Sequence, residues 1–330
     1  MKVVFLQDLN AATVRYFKEK CPGHDLVFPQ SEDVDKLVAA AKDADVLVGY
    51  RLPKGVAEAA PRLKAFISGA AGVDKSVREA FASRPSVQVG NSHANALDVA
   101  EHALALALDA AKLVSRGDRE LRRGDWTLRY DDVPGLLVTG KSAVIVGYGA
   151  IGRATAELLR GFRMRIVGVR SSRKARGVDE RGVQVVGPED LTGALKSADF
   201  VFVFAPLTPL TKGLIGAKQL SAMKRTAVLV NVSRGPVIDE EALFDALKNG
   251  NIGAAGIDTW YVYPKGGATV KSTFPSSQAF HELDNVVLSP HRASYTERMH
   301  EGQWDDAVEN IHRLARGEGV KYRVDLEAGY

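Results

Sequence analysis

The stretch VGYGAIGRATAELLRGFRMRIVGVRSSRK, residues 146–174, reads as the end of a strand, a glycine-rich turn, a helix and a second strand. Its Gly147, Gly149 and Gly152 form G-x-G-x-x-G, with Ala150 and Ile151 opening the helix. The first glycine permits a tight turn, the second lets a pyrophosphate approach the backbone, and the third lets the helix pack close. Free N–H groups at the helix start then face the phosphates, so the segment is expected to bind a dinucleotide. Eighteen residues past Gly152, where an NAD site presents an acid to the ribose 2′-hydroxyl, stands Arg170. A carboxylate would repel a 2′-phosphate, whereas a guanidinium pairs with it, and Ser171 and Arg173 add donors. NADP(H) is the expected cofactor and NAD(H) the less favoured one. The competing reading leaves Arg170 and Arg173 solvated in a basic loop.

Outward from this segment, short apolar runs recur. KVVFL, DLVF, DVLVGY, LKAFISG and VQVGN alternate with helical spacing through roughly the first ninety residues, and SAVIVGYG, MRIVGV, DFVFVFAP, TAVLVNVS, AAGIDT and NVVLSP form a second series. Near-continuous apolar character points to strands covered on both faces, so the expected class is α/β with two doubly wound parallel sheets. Between the series, ANALDVAEHALALALDAAKLVSRGDRELRRGD predicts one long helix with Asn95 and Asp98 as capping candidates. From about Ser294 to Arg316 a second amphipathic helix is expected, with Met299, Trp304, Ala307, Ile311 and Leu314 on its apolar side.

The 330 residues carry 44 Lys and Arg against 40 Asp and Glu, a formal charge of +4 with the signs interspersed. That balance suits a small anionic ligand and does not call for nucleic acid. The most basic patch, RGDRELRRGDWTLR at 116–129, is interrupted by acids and reads as an exposed helix end and loop. Cys21 is the single cysteine and excludes an internal disulfide, and the N-terminal apolar run breaks at Gln7 and Asp8, so a cytoplasmic protein without a membrane partner is expected. The seven histidines make no H-E-x-x-H or Cys/His pattern, so no catalytic metal is expected.

Two segments close strands of the second series. In LVNVSRGPVIDEEAL, Arg234 could orient a carboxylate and polarise a carbonyl; in VVLSPHRAS, His291 could exchange a proton, since a free imidazole titrates near pH ~6.5. Taken singly, each is as well explained as a structural residue.

Together GYGAIG, APLTPLTKGLI, NVSRGPVIDEEAL, GIDTW and SPHRAS, in this order, resemble the D-isomer-specific 2-hydroxyacid dehydrogenases, and SGAAGVDKS and NALDVAEHALAL extend the resemblance through most of the chain. The resemblance implies two Rossmann-like domains around a cleft: a flavodoxin-like substrate domain of residues 1–92 and 292–330, and a dinucleotide-binding domain of 93–291. It implies Arg234 as the substrate-binding and polarising residue, His291 as the acid/base, and the backbone of Ala71 and Gly72 as a carboxylate cradle. Asn95 resembles a polar residue that some members place over the substrate. Asp258 resembles the partner of the nicotinamide carboxamide, with Pro206, Thr211, Val232 and Ser233 lining the cofactor groove. A homodimer is implied, with the 116–129 region in its contact.

One family feature is absent. The glutamate that pairs with the histidine is replaced by Tyr263, five residues after Asp258. A phenol can orient the ring but gives little charge stabilisation to an imidazolium. The expected activity is hydride transfer from NADPH to a small 2-keto acid of glyoxylate or hydroxypyruvate size. Two alternatives stay open: oxidation of another small anion such as formate or phosphite, and a nucleotide-sensing protein without catalysis.

Overall fold

The computed structural model describes residues 1–73, 75–171, 176–298 and 301–326, with only the backbone of Lys75 and Glu301. Its contacts divide the chain into two units, Met1–Asn95 with Thr296–Tyr330, and Ala96–Tyr295.

In the first unit, β1 (Lys2–Phe5), β2 (Asp25–Val27), β3 (Val46–Val48), β4 (Ala65–Ile67) and β5 (Gln88–Gly90) form a parallel sheet in the order β2-β1-β3-β4-β5. Side chains alternate across a strand, so each strand feeds two cores. Val4, Leu47 and Phe66 pack with Leu37 and Phe81 on one face. Val3, Phe5, Val46, Val48 and Ile67 pack with Phe17, Trp304, Ala307 and Ile311 on the other. The last three come from the helix Glu301–Ala315, which starts later than the expected Ser294, and Met299 lies outside the described residues. The turn Arg292–Tyr295, closed by the Tyr295 amide on the Arg292 carbonyl, occupies part of the span expected to be helical.

The second unit holds β6 (Ser142–Val146), β7 (Arg165–Val169), β8 (Gly177–Val178), β9 (Gln184–Val186), β10 (Phe200–Val203), β11 (Val228–Asn231), β12 (Ala254–Ile257) and β13 (Val286–Leu288). Their order is β13-β12-β11-β10-β6-β7-β9-β8, and every pairing is parallel except β8 with β9. The strand runs expected from the sequence form six of these eight strands and all five of the first sheet; the β8–β9 pair was hidden by its polar, glycine-bounded sequence. Helices cover both faces, which is why the strands are apolar throughout: Val144, Val201 and Leu229 face one core, Ile145, Phe202 and Val230 the other.

The helix Ala96–Lys112 lays Val99, Ala103, Leu106, Ala107 and Ala110 against the second core. Its approach is so close that a Cβ at Gly256 of β12 would sit 2.7 Å from Leu106 Cβ. The single long helix expected here is broken. Leu113 takes a left-handed backbone (φ 59°), and a separate helix runs Val114–Leu121. Asp109 captures the Ser115 amide at 2.7 Å, and the Ala111 carbonyl accepts from the Leu136 amide at 2.7 Å instead of continuing the helix. Among the described residues no helix is long and apolar enough to cross a membrane.

Candidate active site

The second unit carries its polar residues at the carboxyl ends of parallel strands, where open α/β sheets bind ligands. Along that edge the strand order places His291 after β13, Asp258 after β12, Val232, Ser233 and Arg234 after β11, Pro206 after β10, Gly147 after β6 and Arg170 after β7.

The glycine turn fits a dinucleotide. Gly147 has φ +93°, and a Cβ there would lie 2.4 Å from the Ala205 backbone nitrogen. At Gly152 a Cβ would lie 2.8 Å from the Gly147 carbonyl oxygen, so the helix Ala150–Arg160 packs directly on the turn. At Gly149 an added Cβ would meet nothing within 4 Å. That open face, beside Ala150 and Ile151 in the first helical turn, is where a pyrophosphate would be held by free N–H groups.

Arg170 follows β7, and the amides of Gly147 and Tyr148 both donate to the Val169 carbonyl, at 3.0 and 3.1 Å. This ties the backbone before Arg170 to the glycine turn. Ser171 is exposed next to it, and Arg173 lies outside the described residues. Beneath the turn, buried Tyr148 donates its hydroxyl to Asp179 at 2.9 Å, a contact the sequence did not reveal. Burial, then the neighbouring Asp179, pushes the Tyr148 phenol up to about 12. After β10, Thr211 closes its loop by donating to the Pro206 carbonyl at 2.5 Å and accepting the Thr208 amide at 2.7 Å.

Ser233 is held by Asn231, whose Oδ1 accepts its amide at 3.1 Å and its hydroxyl at 2.9 Å. Val232 and Ser233 are buried, while Arg234 emerges exposed. The next residue must be glycine: a Cβ at Gly235 would lie 2.4 Å from the Trp260 carbonyl oxygen.

His291 has φ 56°, a left-handed conformation that costs a residue with a Cβ roughly 1–2 kcal/mol. Its Nδ1 lies 2.9 Å from the Tyr263 hydroxyl, which also accepts the Trp260 amide at 3.1 Å. The imidazole keeps an exposed edge, yet the protein around it desolvates the ring and, with the Arg234 charge, lowers its pKa; the Asp258 charge acts the other way. Burial raises the Tyr263 phenol, against the opposing pull of the Trp260 amide and Arg234. Thus Tyr263, Arg234, Asp258 and His291 form one electrostatic group.

Asp258 has no exposed surface. Its Oδ1 accepts the Ser289 hydroxyl at 2.5 Å and the Arg292 amide at 2.8 Å, and its Oδ2 accepts the Ala293 amide at 3.0 Å. Burial alone would raise this carboxyl, but hydrogen bonds from His102, Ser289 and the two amides outweigh it and hold it at about 2. Neither His102 nor Ser289 stands out in the sequence as a site residue. The available signal was spacing: His102 sits three residues after Val99 and four before Leu106, a polar side chain on the packed side of its helix.

In the first unit, Ala71 and Gly72 follow β4, and the Asn91 side-chain amide donates to the Ala71 carbonyl at 2.7 Å. Asn95 has a buried Oδ1 without a hydrogen-bond partner. Among the described residues, no group of three or more His, Cys, Asp or Glu could hold a metal ion.

Residues 104–293 match the D-isomer specific 2-hydroxyacid dehydrogenase, NAD binding domain. The D-3-phosphoglycerate dehydrogenase of Methanocaldococcus jannaschii is 33% identical over 295 residues, 88% of this chain and 54% of that protein. The glyoxylate reductase of Korarchaeum cryptofilum is 37% identical over 297 residues, 88% of this chain and 85% of that one. The chain therefore spans about half the length of the first relative and most of the second. Among solved structures, a D-isomer specific 2-hydroxyacid dehydrogenase from Xanthobacter autotrophicus Py2 in complex with NADPH and MES superposes with a TM-score of 0.79 at 28% identity, covering 100% of this chain and 99% of that one. These likenesses extend over both units, and the strand-edge arrangement agrees with the matched cofactor domain: the chain belongs to the D-isomer specific 2-hydroxyacid dehydrogenase family.

Proposed function

We propose that the protein is a cytoplasmic NADPH-dependent reductase of a small 2-keto acid, of glyoxylate or hydroxypyruvate size. The observation that carries the cofactor choice is Arg170, bound through its preceding carbonyl to the glycine turn at the place of the ribose-reading acid. The likeness to glyoxylate reductases, and to a solved relative that holds NADPH, supports the same reading.

The nicotinamide cofactor, when bound, supplies the hydride to the carbonyl carbon. Arg234 binds the carboxylate and draws electron density from the carbonyl, stabilising the charge that develops on oxygen. The Ala71 and Gly72 amides would serve as a carboxylate cradle, and Asn95, with its unsatisfied Oδ1, as a substrate contact. Protonated His291 delivers the proton from Nε2 while Nδ1–H stays on the Tyr263 oxygen. That oxygen has two lone pairs, enough for the His291 and Trp260 donors together. Pro206, Thr211, Val232 and Ser233 line the cofactor groove. The first unit, Met1–Asn95 with Thr296–Tyr330, serves as the substrate domain, and the second, Ala96–Tyr295, as the dinucleotide-binding domain.

The protein acts as a homodimer. The helix Val114–Leu121 buries none of its residues, and Val114, Leu121, Trp126, Tyr130 and Leu137 are all exposed, an apolar surface suited to a second copy. Initial rates on a panel test the chemistry. Reduction of glyoxylate or hydroxypyruvate supports it; oxidation of formate or phosphite, or cofactor binding without turnover, overturns it.

A further inference from the structure

We propose that His102 is a positioning residue for proton transfer: through Ser289 and Asp258 it fixes the turn that carries His291. The proposal rests on His291 being the acid/base of the preceding reading.

Counting hydrogens sets the direction of the network. Ser289 has one hydroxyl hydrogen, and it donates that hydrogen to Asp258 Oδ1 at 2.5 Å. The 2.9 Å contact between Ser289 Oγ and His102 Nε2 must then be donated by the imidazole, so His102 carries a proton on Nε2. The same nitrogen lies 3.4 Å from Asp258 Oδ1. Asp258 and Ser289 leave the adjacent parallel strands β12 and β13, and His102 reaches them from the helix Ala96–Lys112.

The carboxylate so held accepts the amides of Arg292 and Ala293, the two residues after His291. Trp260 fastens the other side by donating its indole N–H to the Ser289 carbonyl at 2.8 Å. Between these anchors His291 keeps its left-handed backbone. A disfavoured conformation persists when the surroundings over-determine it, and here they do so at the residue that must aim a proton.

A nucleophilic role for the cluster fits less well. In a serine nucleophile the hydroxyl proton goes to the imidazole, whereas here it goes to the carboxylate, and Ser289 is buried.

The test compares His102→Leu, which removes the donor, with His102→Gln, whose amide can reach the same acceptors. Glyoxylate reduction, NADPH binding by protein fluorescence, and the His291 imidazole signals in 15N–1H spectra are read for each. His102→Leu is expected to lower kcat about tenfold, as misaimed catalytic groups do, with substrate KM and NADPH Kd within about twofold and the His291 signals shifted. His102→Gln is expected to restore kcat to within about threefold. Ser289→Ala, which cuts the same path at another atom, should reproduce the kcat loss and covers a poorly folding His102→Leu. Unshifted His291 signals in folded His102→Leu or Ser289→Ala, unchanged kcat, or a loss in KM or Kd alone overturn the proposal. If the wild type turns over no keto acid, the functional reading fails, and the imidazole spectra still decide whether His102 positions His291.

Discussion

The Tyr263 hydroxyl sits 2.9 Å from His291 Nδ1 and 3.1 Å from the Trp260 amide that donates to it, so a neutral phenol oxygen, not a carboxylate, is the partner of the histidine proposed as acid/base. The His291 pKa is lowered by desolvation and by Arg234. Reduction needs the protonated imidazole, so its rate should fall as pH rises through a value below the ordinary ~6.5. Tyr263→Glu puts a negative charge next to Nδ1 and should move that midpoint upward by about 1. A pH profile of kcat/KM that is the same in both proteins contradicts this account of the histidine.

Asp258 also bears on stability. Its folded pKa of about 2, against the ordinary 3.8, means the carboxylate stabilises the fold fully above pH 3.8 and loses that effect as pH falls through about 2. Asp258→Asn should cost about 2 kcal/mol at neutral pH, and its deficit relative to wild type should shrink across that acidic window. Denaturant titrations at pH 7 and in that window measure it. An equal deficit at every pH would mean the loss is steric.

Gly147 and Gly149, two residues apart in one turn, should part company on substitution. Gly147→Ala places a Cβ 2.4 Å from a backbone nitrogen at a positive φ and should destabilise the fold by about 1–3 kcal/mol. Gly149→Ala meets nothing in the protein, so thermal stability should hold while NADPH binding weakens. Equal cofactor affinity in Gly149→Ala and wild type would remove the pyrophosphate from that face.

Sequence and structure differ where local pattern and tertiary contact compete. The apolar strand runs were legible because burial on both faces leaves no polar positions in them, and the turn was legible because only glycine fits Gly147 and Gly152. The break at Leu113 was not, since it depends on Asp109 and Ala111 finding partners at Ser115 and Leu136. Likewise His102 and Ser289 stand 187 positions apart and acquire a joint role only when β12, β13 and the helix Ala96–Lys112 meet. Asp258 was singled out only through the family resemblance, and its four partners belong to the fold.

Trp126 is 61% exposed within the apolar surface assigned to a second copy. Trp126→Asp should raise the monomer fraction in light scattering without lowering the melting temperature of the monomer. A wild-type protein that is monomeric at micromolar concentration contradicts the dimer.

The most direct measurement is the ratio of kcat/KM for NADPH over NADH in glyoxylate reduction, taken for wild type and for Arg170→Asp. The wild type should favour NADPH, and the variant should lose roughly 10- to 100-fold of that preference, as removal of a charged hydrogen bond worth about 1.5–3 kcal/mol implies. A wild type that favours NADH, or an unchanged ratio in Arg170→Asp, would contradict it.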